Sequence, residues 1–203
     1  MKTYEELIEH LIYSGRLRSP HIIRGVGRVD RALFVADEHR DEAYMDYPLS
    51  IGFNQTISQP STVAMMMEWL YPERGNKILD IGAGSGWTTA ILAEIAGPNA
   101  SVTGTEIVPE LVEFANQNLE KAGIKNAEVV LTAGDVGIPE QTFDRILVSA
   151  SARFLPDVLF SQLKVGGTMV IPIRNSIYVF EKVSEIKIDE TEYPGFVFVP
   201  LIH

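Results

Sequence analysis

One stretch narrows the choice of fold more than any other: Lys77-Ile78-Leu79-Asp80-Ile81-Gly82-Ala83-Gly84-Ser85-Gly86, with Glu106 twenty residues beyond the last glycine. A short apolar run ending in a glycine-rich turn reads as a strand passing into a helix. Glycine lets the backbone bend there and approach a ligand that any Cβ would block. Glu106 closes the next apolar run, where a carboxylate can accept hydrogen bonds from a ribose, as in dinucleotide-binding folds. The spacing is G-x-G-x-G opened by the acidic Asp80, not G-x-G-x-x-G. That variant suits a nucleoside carried without a pyrophosphate, and S-adenosyl-L-methionine is the common ligand of that kind.

From residue 77 the pattern alternates. Strands are expected at 77–81, 101–106, 127–131, 144–149 and 167–173, and helices at 86–96, 109–122 and 156–164. Pro109 and Pro156 stand where helices begin, Gly97 and Gly123 where they end. Such alternation implies an α/β fold, Rossmann-like and doubly wound, with a mostly parallel sheet. Two further strands, 177–184 and 196–201, are expected to be antiparallel. Upstream, Thr3 and Glu6 form a capping-box pattern before Tyr4, Leu7, Ile8, Leu11 and Ile12 at helical spacing. A second short helix is expected at Ser19-Pro20 and a third from Gln59-Pro60, with Val63, Met66, Met67 and Leu70 on one face. Residues 40–58 show no period and read as an extended loop. The expected organisation is a single domain over 1–203, with helices and a substrate loop in 1–72 and the cofactor-binding core in 73–203.

Composition excludes several functions. With 17 basic against 27 acidic residues, the net charge of −10 argues against nucleic acid or anionic membrane as a partner. No run approaches bilayer length. The absence of cysteine and of an apolar leader points to a cytoplasmic protein. His10, His21, His39 and His203 have no carboxylate at ligand spacing, so no metal site is expected. Ala83 stands two before Ser85, which rules out a nucleophile elbow. Arg16, Arg18, Arg24, Arg28 and Arg31 fall within sixteen residues. On an acidic chain such a cluster is expected to be a solvated face paired with carboxylates, the alternative being an RNA-binding surface.

In an open α/β sheet the ligand lies at the carboxyl ends of the strands. Those ends here carry Asp80 to Gly86, Glu106, Gly134-Asp135 and Ser149-Ala150-Ser151. Asp135 suits an adenine amino group, since a carboxylate only accepts; a plain turn or cap role is the competing reading.

Ala43 to Gly52 is followed by Asn54 to Pro60, and then in order by Gly104 to Ile107, Gly134-Asp135, Phe143 to Val148, Gln162-Leu163, Gly166-Gly167, Ile171-Pro172 and Phe198 to Leu201. In these motifs the chain resembles the protein-L-isoaspartate O-methyltransferase family, whose substrate-loop signature the first two stretches look like. The resemblance implies methyl transfer from S-adenosyl-L-methionine to the α-carboxylate of L-isoaspartyl residues in aged proteins, as the first step of repair to aspartate. It implies Ser58 as the active-site residue. It also implies a cofactor lying against Gln55, Thr56 and Ile57, against Asp80, Gly82, Gly84, Ser85 and Gly86, and against Glu106, Asp135 and Val136. From local sequence alone the favoured role of Ser58 is to cap the helix that Pro60 opens; the surrounding signature reverses that order. The chain departs from the family pattern at Val136, where glycine is usual, in a shorter loop to Phe143, and at Arg174, another usual glycine. These changes leave open an RNA or small-molecule methyltransferase, or a homologue that binds the cofactor without catalysis.

Overall fold

The computed structural model describes residues 1–134 and 136–201. Helix α1 (Tyr4–Tyr13) begins at Thr3, whose hydroxyl accepts from the Glu6 N–H at 3.2 Å. The Glu6 carboxylate reaches the Lys2 N–H rather than that of Thr3, so only half of the expected capping box forms. Tyr4, Leu7 and Leu11 are buried, whereas Ile12 turns outward. Helix α2 (Pro20–Arg28) has proline in its first turn, as expected, but the Ser19 side chain does not cap it. Instead Glu68 accepts from the Arg18 and Ser19 N–H groups and from the Ser19 hydroxyl.

The stretch expected to be a loop contains two structured pieces. One is the 3-10 turn Asp37–Glu42; the other is a hairpin of β1 (Leu49–Gly52) and β2 (Gln55–Ile57). In β1 Leu49 and Ile51 are buried while Ser50 and Gly52 are exposed, a period of two that four residues are too few to advertise. Helix α3 (Pro60–Leu70) follows and buries Val63, Met66, Met67 and Leu70 as expected.

The remaining strands build one seven-stranded sheet. They are β3 (Lys77–Ile81), β4 (Ser101–Glu106), β5 (Ala127–Leu131), β6 (Phe143–Val148), β7 (Leu163–Ile173), β8 (Ser176–Ser184) and β9 (Lys187–Pro194), in spatial order β5-β4-β3-β6-β7-β8-β9. All pairs from β5 through β7 are parallel; β8 and β9 add antiparallel edges. Helices α4 (Trp87–Ala96), α5 (Pro109–Lys121) and α6 (Val158–Gln162) make the connections. Alternate strand residues feed opposite cores. Ile78 and Leu147 join α1 to α5 in the larger one, while Leu79, Ile81, Ile146 and Val148 pack with Leu159 and Phe180 in the other.

Two expectations fail near the C-terminus. Helix α6 is only five residues long, because the chain enters β7 at Leu163. The ninth strand is 187–194 rather than 196–201. Its sequence Lys-Ile-Asp-Glu-Thr-Glu-Tyr-Pro is acidic and exposed along nearly its whole length, as a protected sheet edge requires, so hydrophobicity does not mark it. The apolar 196–201 segment instead runs as a strap over the carboxyl ends of the strands. It forms a single parallel bridge between Pro200 and Ser151.

Candidate active site

The turn after β3 is held by its own backbone. The Gly82 and Ala83 N–H groups donate to the Thr105 carbonyl on β4, and Gly86 N–H donates to Ala83. Gly82, Gly84 and Gly86 all have positive φ, at 78, 54 and 84°. A Cβ on Gly84 would come within 3.2 Å of Ile51 in the hairpin, and one on Gly86 within 3.2 Å of Ala115 on α5. The glycines therefore serve the bend and two close approaches at once.

Beneath this turn lies Asp80, fully buried. Its carboxylate accepts from Thr88 and Thr89 at 2.7 Å each and from Ser149 at 3.1 Å. Burial pushes its pKa above the usual carboxylate range, and the three hydroxyls oppose that rise. The group thus ties β3 to the first turn of α4 and to the end of β6.

Glu106 ends β4 and is 7% exposed. One carboxylate oxygen accepts from Gly84 N–H at 3.0 Å; the other accepts from Ile107 and Val108 N–H at 2.8 and 3.1 Å. These bonds fix the carboxylate on the wall of an open cleft. Gln55, Thr56, Gly82, Gly84, Ile107, Thr132, Val136, Ser149 and the strap residues Val199 to Leu201 complete the wall. The cleft sits where the chain reverses direction across the sheet, between β3 and β6, as open α/β sheets favour.

A smaller cavity of about 290 Å³ adjoins it. Thr56, Gly82, Gly84 and Ser149 are shared by both, and Ile57, Ser58, Ser85 and Trp87 are added here. Ser58 is half-buried, and among the described residues its hydroxyl forms no hydrogen bond. It does not cap α3: the cap position is Gln59, and Asp46 receives the Ser61 N–H at 2.8 Å and the Ser61 hydroxyl at 2.6 Å. The Ser58 carbonyl is held at 3.1 Å by Arg31, a completely buried residue. The Arg31 guanidinium also donates to the carbonyls of Ala43, Met45 and Tyr47 and lies 5.4 Å from the centre of the Trp87 ring. Burial lowers its pKa to about 10, with Asp46 opposing, so it stays charged at neutral pH.

Of the residues singled out from sequence, Gln55, Thr56, Gly82, Gly84, Glu106 and Val136 line the larger cleft, and Ile57, Ser58 and Ser85 the smaller. Asp80 and Gly86 line neither; they support the turn from below and behind. Asp135 lies outside the described residues. Sequence reasoning missed Arg31 and Asp46. It counted Arg31 with a solvated face, whereas the fold puts that side chain in the interior against carbonyls rather than carboxylates. Of its neighbours, Arg28 does pair with a carboxylate, Glu94 at 2.8 Å.

The model of one family, protein-L-isoaspartate(D-aspartate) O-methyltransferase, matches residues 2–203. The chain belongs to that family. A protein-L-isoaspartate O-methyltransferase of Hyperthermus butylicus is 44% identical over 97% of this chain and 87% of its own length. One from Methanopyrus kandleri is 42% identical over 98% and 90%. A Plasmodium falciparum structure assigned to the same activity, solved with S-adenosyl-L-homocysteine, superposes with a TM-score of 0.87 at 26% identity, covering 99% of both chains. Two of the positions set apart in the sequence have defined surroundings. Val136 is pinned by the Gln162 amide, which donates to the Val136 carbonyl and accepts from Ile138 N–H. Arg174 has φ 55°, the left-handed region that favours glycine. Among the described residues no helix is long and apolar enough to cross a membrane, and no cluster of three metal-ligating side chains occurs.

Proposed function

We propose that this chain performs the reaction of its family at Ser58: methyl transfer from S-adenosylmethionine to the α-carboxylate of an L-isoaspartyl residue. The observation that carries the reading is the unpartnered Ser58 hydroxyl in a small cavity that shares a wall with the larger cleft. The larger cleft fits the cofactor. Three backbone N–H groups hold Glu106, one on one oxygen and two on the other, which leaves the singly bonded oxygen able to accept from a ribose hydroxyl, and the glycine turn leaves room where a Cβ would intrude. When bound, the cofactor supplies an electrophilic methyl on a sulfonium.

The chain's own residues have a modest chemical task. A carboxylate with a reference pKa near 4 is ionised at neutral pH, so no general base is required. The Ser58 hydroxyl donates to one carboxylate oxygen and leaves the other free to attack. Arg31 holds the Ser58 backbone, and Asp46 holds the start of α3, so the hydroxyl is aimed before substrate arrives. The strap residues Val199 to Leu201 line the cleft and cover part of it with apolar surface. Damaged proteins are the expected partners, and the lack of cysteine suits a reducing cytoplasm.

The nucleic-acid alternative loses its main support, because one arginine of its cluster is internal and another is paired with Glu94. The deciding assay incubates the protein with methyl-labelled S-adenosylmethionine and an isoaspartyl peptide beside its aspartyl twin. Base-labile label on the isoaspartyl peptide alone is the expected result; equal labelling of both, or of neither, overturns the reading.

A further inference from the structure

The carboxyl edge of the sheet carries a cationic patch outside both cavities. Phe154 is 65% exposed, and two guanidiniums lie over its ring, Arg153 at 5.4 Å and Arg174 at 5.6 Å from the centroid. Both arginines are exposed, and among the described residues neither forms an ion pair. The Glu192 carboxylate, on β9 beside β8, accepts from the Ser176 hydroxyl at 2.6 Å. Two like charges beside one aromatic ring, within roughly a Debye length of each other, repel, and an anion between them relieves that repulsion. On a chain of net charge −10 such a patch is a local exception.

Its position is set by the active site. Ser149 lines both cavities, and the chain runs from there through Ser151 to Arg153. Ser151 pairs on both sides with the strap, its N–H donating to Val199 and its carbonyl accepting from Leu201, each at 2.8 Å. The turn bearing Arg174 is tied to the same segment, Arg174 N–H donating to the Ala152 carbonyl and the Ser151 hydroxyl donating to the Arg174 carbonyl. Arg174 holds a left-handed backbone that a glycine would adopt without strain; its Nε donates a long bond of 3.4 Å to the Arg153 carbonyl, which leaves the rest of the exposed guanidinium free to meet an anion. Arg153 is four residues from Ser149, so at most about 14 Å of chain separates them, a span that about four residues of an extended peptide cover.

We propose that Arg153, Phe154 and Arg174 form a specificity subsite for the same reaction, taking the carboxylate of an acidic residue that flanks the isoaspartyl residue. The inference rests on the reading of Ser58 given above. The subsite makes the enzyme favour acidic isoaspartyl segments through binding, leaving the chemical step alone.

The test compares two isoaspartyl peptides that differ only in Glu or Gln at the two positions on each side of the isoaspartate. The wild type should favour the Glu peptide in kcat/KM by about two- to fivefold, through KM rather than kcat. That preference should vanish near ~0.5 M salt. The double variant Arg153→Gln/Arg174→Gly should treat the peptides alike, with kcat/KM for the Gln peptide and affinity for S-adenosylhomocysteine unchanged. No preference in the wild type, or a preference surviving in the double variant, overturns the subsite while methylation of the Gln peptide still upholds the reaction. Methylation of neither peptide overturns the reaction and the subsite together.

Discussion

Replacing Arg31 by methionine keeps most of the buried stem and removes the charged fork. In the native structure that fork donates to four carbonyls, at 2.7 Å to Ala43, 3.3 Å to Met45, 3.1 Å to Tyr47 and 3.1 Å to Ser58. A hydrogen bond from a charged donor contributes about 1.5–3 kcal/mol, and the guanidinium's own desolvation offsets part of that. Removing the fork strands buried carbonyls at about 1–3 kcal/mol each, and with the guanidinium's own desolvation relieved the expected net loss is about 3–5 kcal/mol. For a chain of this size that is a fall of roughly 6–20 °C in Tm. The loss should also reach catalysis, because the same fork holds the Ser58 backbone. A displacement of about 1 Å at an aligning group can cost 10²-fold in rate. Arg31 lines neither cavity, so affinity for S-adenosylhomocysteine should change less than about twofold, whereas a binding role would cost a full contact. Thermal melting, calorimetric titration and single-turnover methylation at a temperature well below the lowered Tm measure the three quantities. A Tm within 2 °C of wild type, or cofactor affinity falling in step with turnover, would refute the bracing role.

Ser58→Ala should leave stability within about 0.5 kcal/mol, since Asp46 rather than Ser58 caps α3. It should lower kcat by roughly ten- to a hundredfold with cofactor affinity intact; loss of stability with normal turnover would restore the cap reading. Glu106→Ala should weaken S-adenosylhomocysteine binding by roughly ten- to a hundredfold in calorimetry. It should also lower Tm, because the N–H groups of Gly84, Ile107 and Val108 lose their acceptor. Asp80 holds its proton to higher pH when folded than when unfolded, because burial raises its pKa. Its contribution is therefore complete below the unfolded value near 4 and is lost as pH rises toward the folded value, by up to about 1.4 kcal/mol per pH unit. Asp80→Asn should flatten this decline, so melting scans from pH 4 upward should show the variant gaining on the wild type; parallel curves would refute the shift.

The parallel core was readable because its signals are local. The strands at Lys77–Ile81, Ser101–Glu106 and Ala127–Leu131 fall where the apolar runs put them, bounded by glycine and proline. The positions of Gly82, Gly84 and Glu106 followed from the same pattern. What escaped was set by distant partners. The β9 edge is acidic because it faces water, so a hydrophobic pattern cannot mark it. The strap is apolar because it covers the cleft, and the same pattern mistook it for a strand. Arg31 and Asp46 look like ordinary surface charges until folding brings carbonyls 12 to 27 residues away around one, and a helix start 15 residues away onto the other.

The placement of these residues bears on how the site can change. Those that hold it rigid (Arg31, Asp46, Asp80 and Gln162) contact backbone groups and hydroxyls of the protein itself, not the open space of either cavity. Their identity is dictated by folding, so substitution there should cost stability together with function. Val136 and Arg174 sit at the cleft wall and beside its strap, with solvent on one side. Changes at such positions alter what the walls present without disturbing Glu106 or Ser58. The physical division therefore places freedom in substrate preference at the rim and leaves the reacting geometry fixed, which is why the rim, rather than the cradle, is where specificity should be sought.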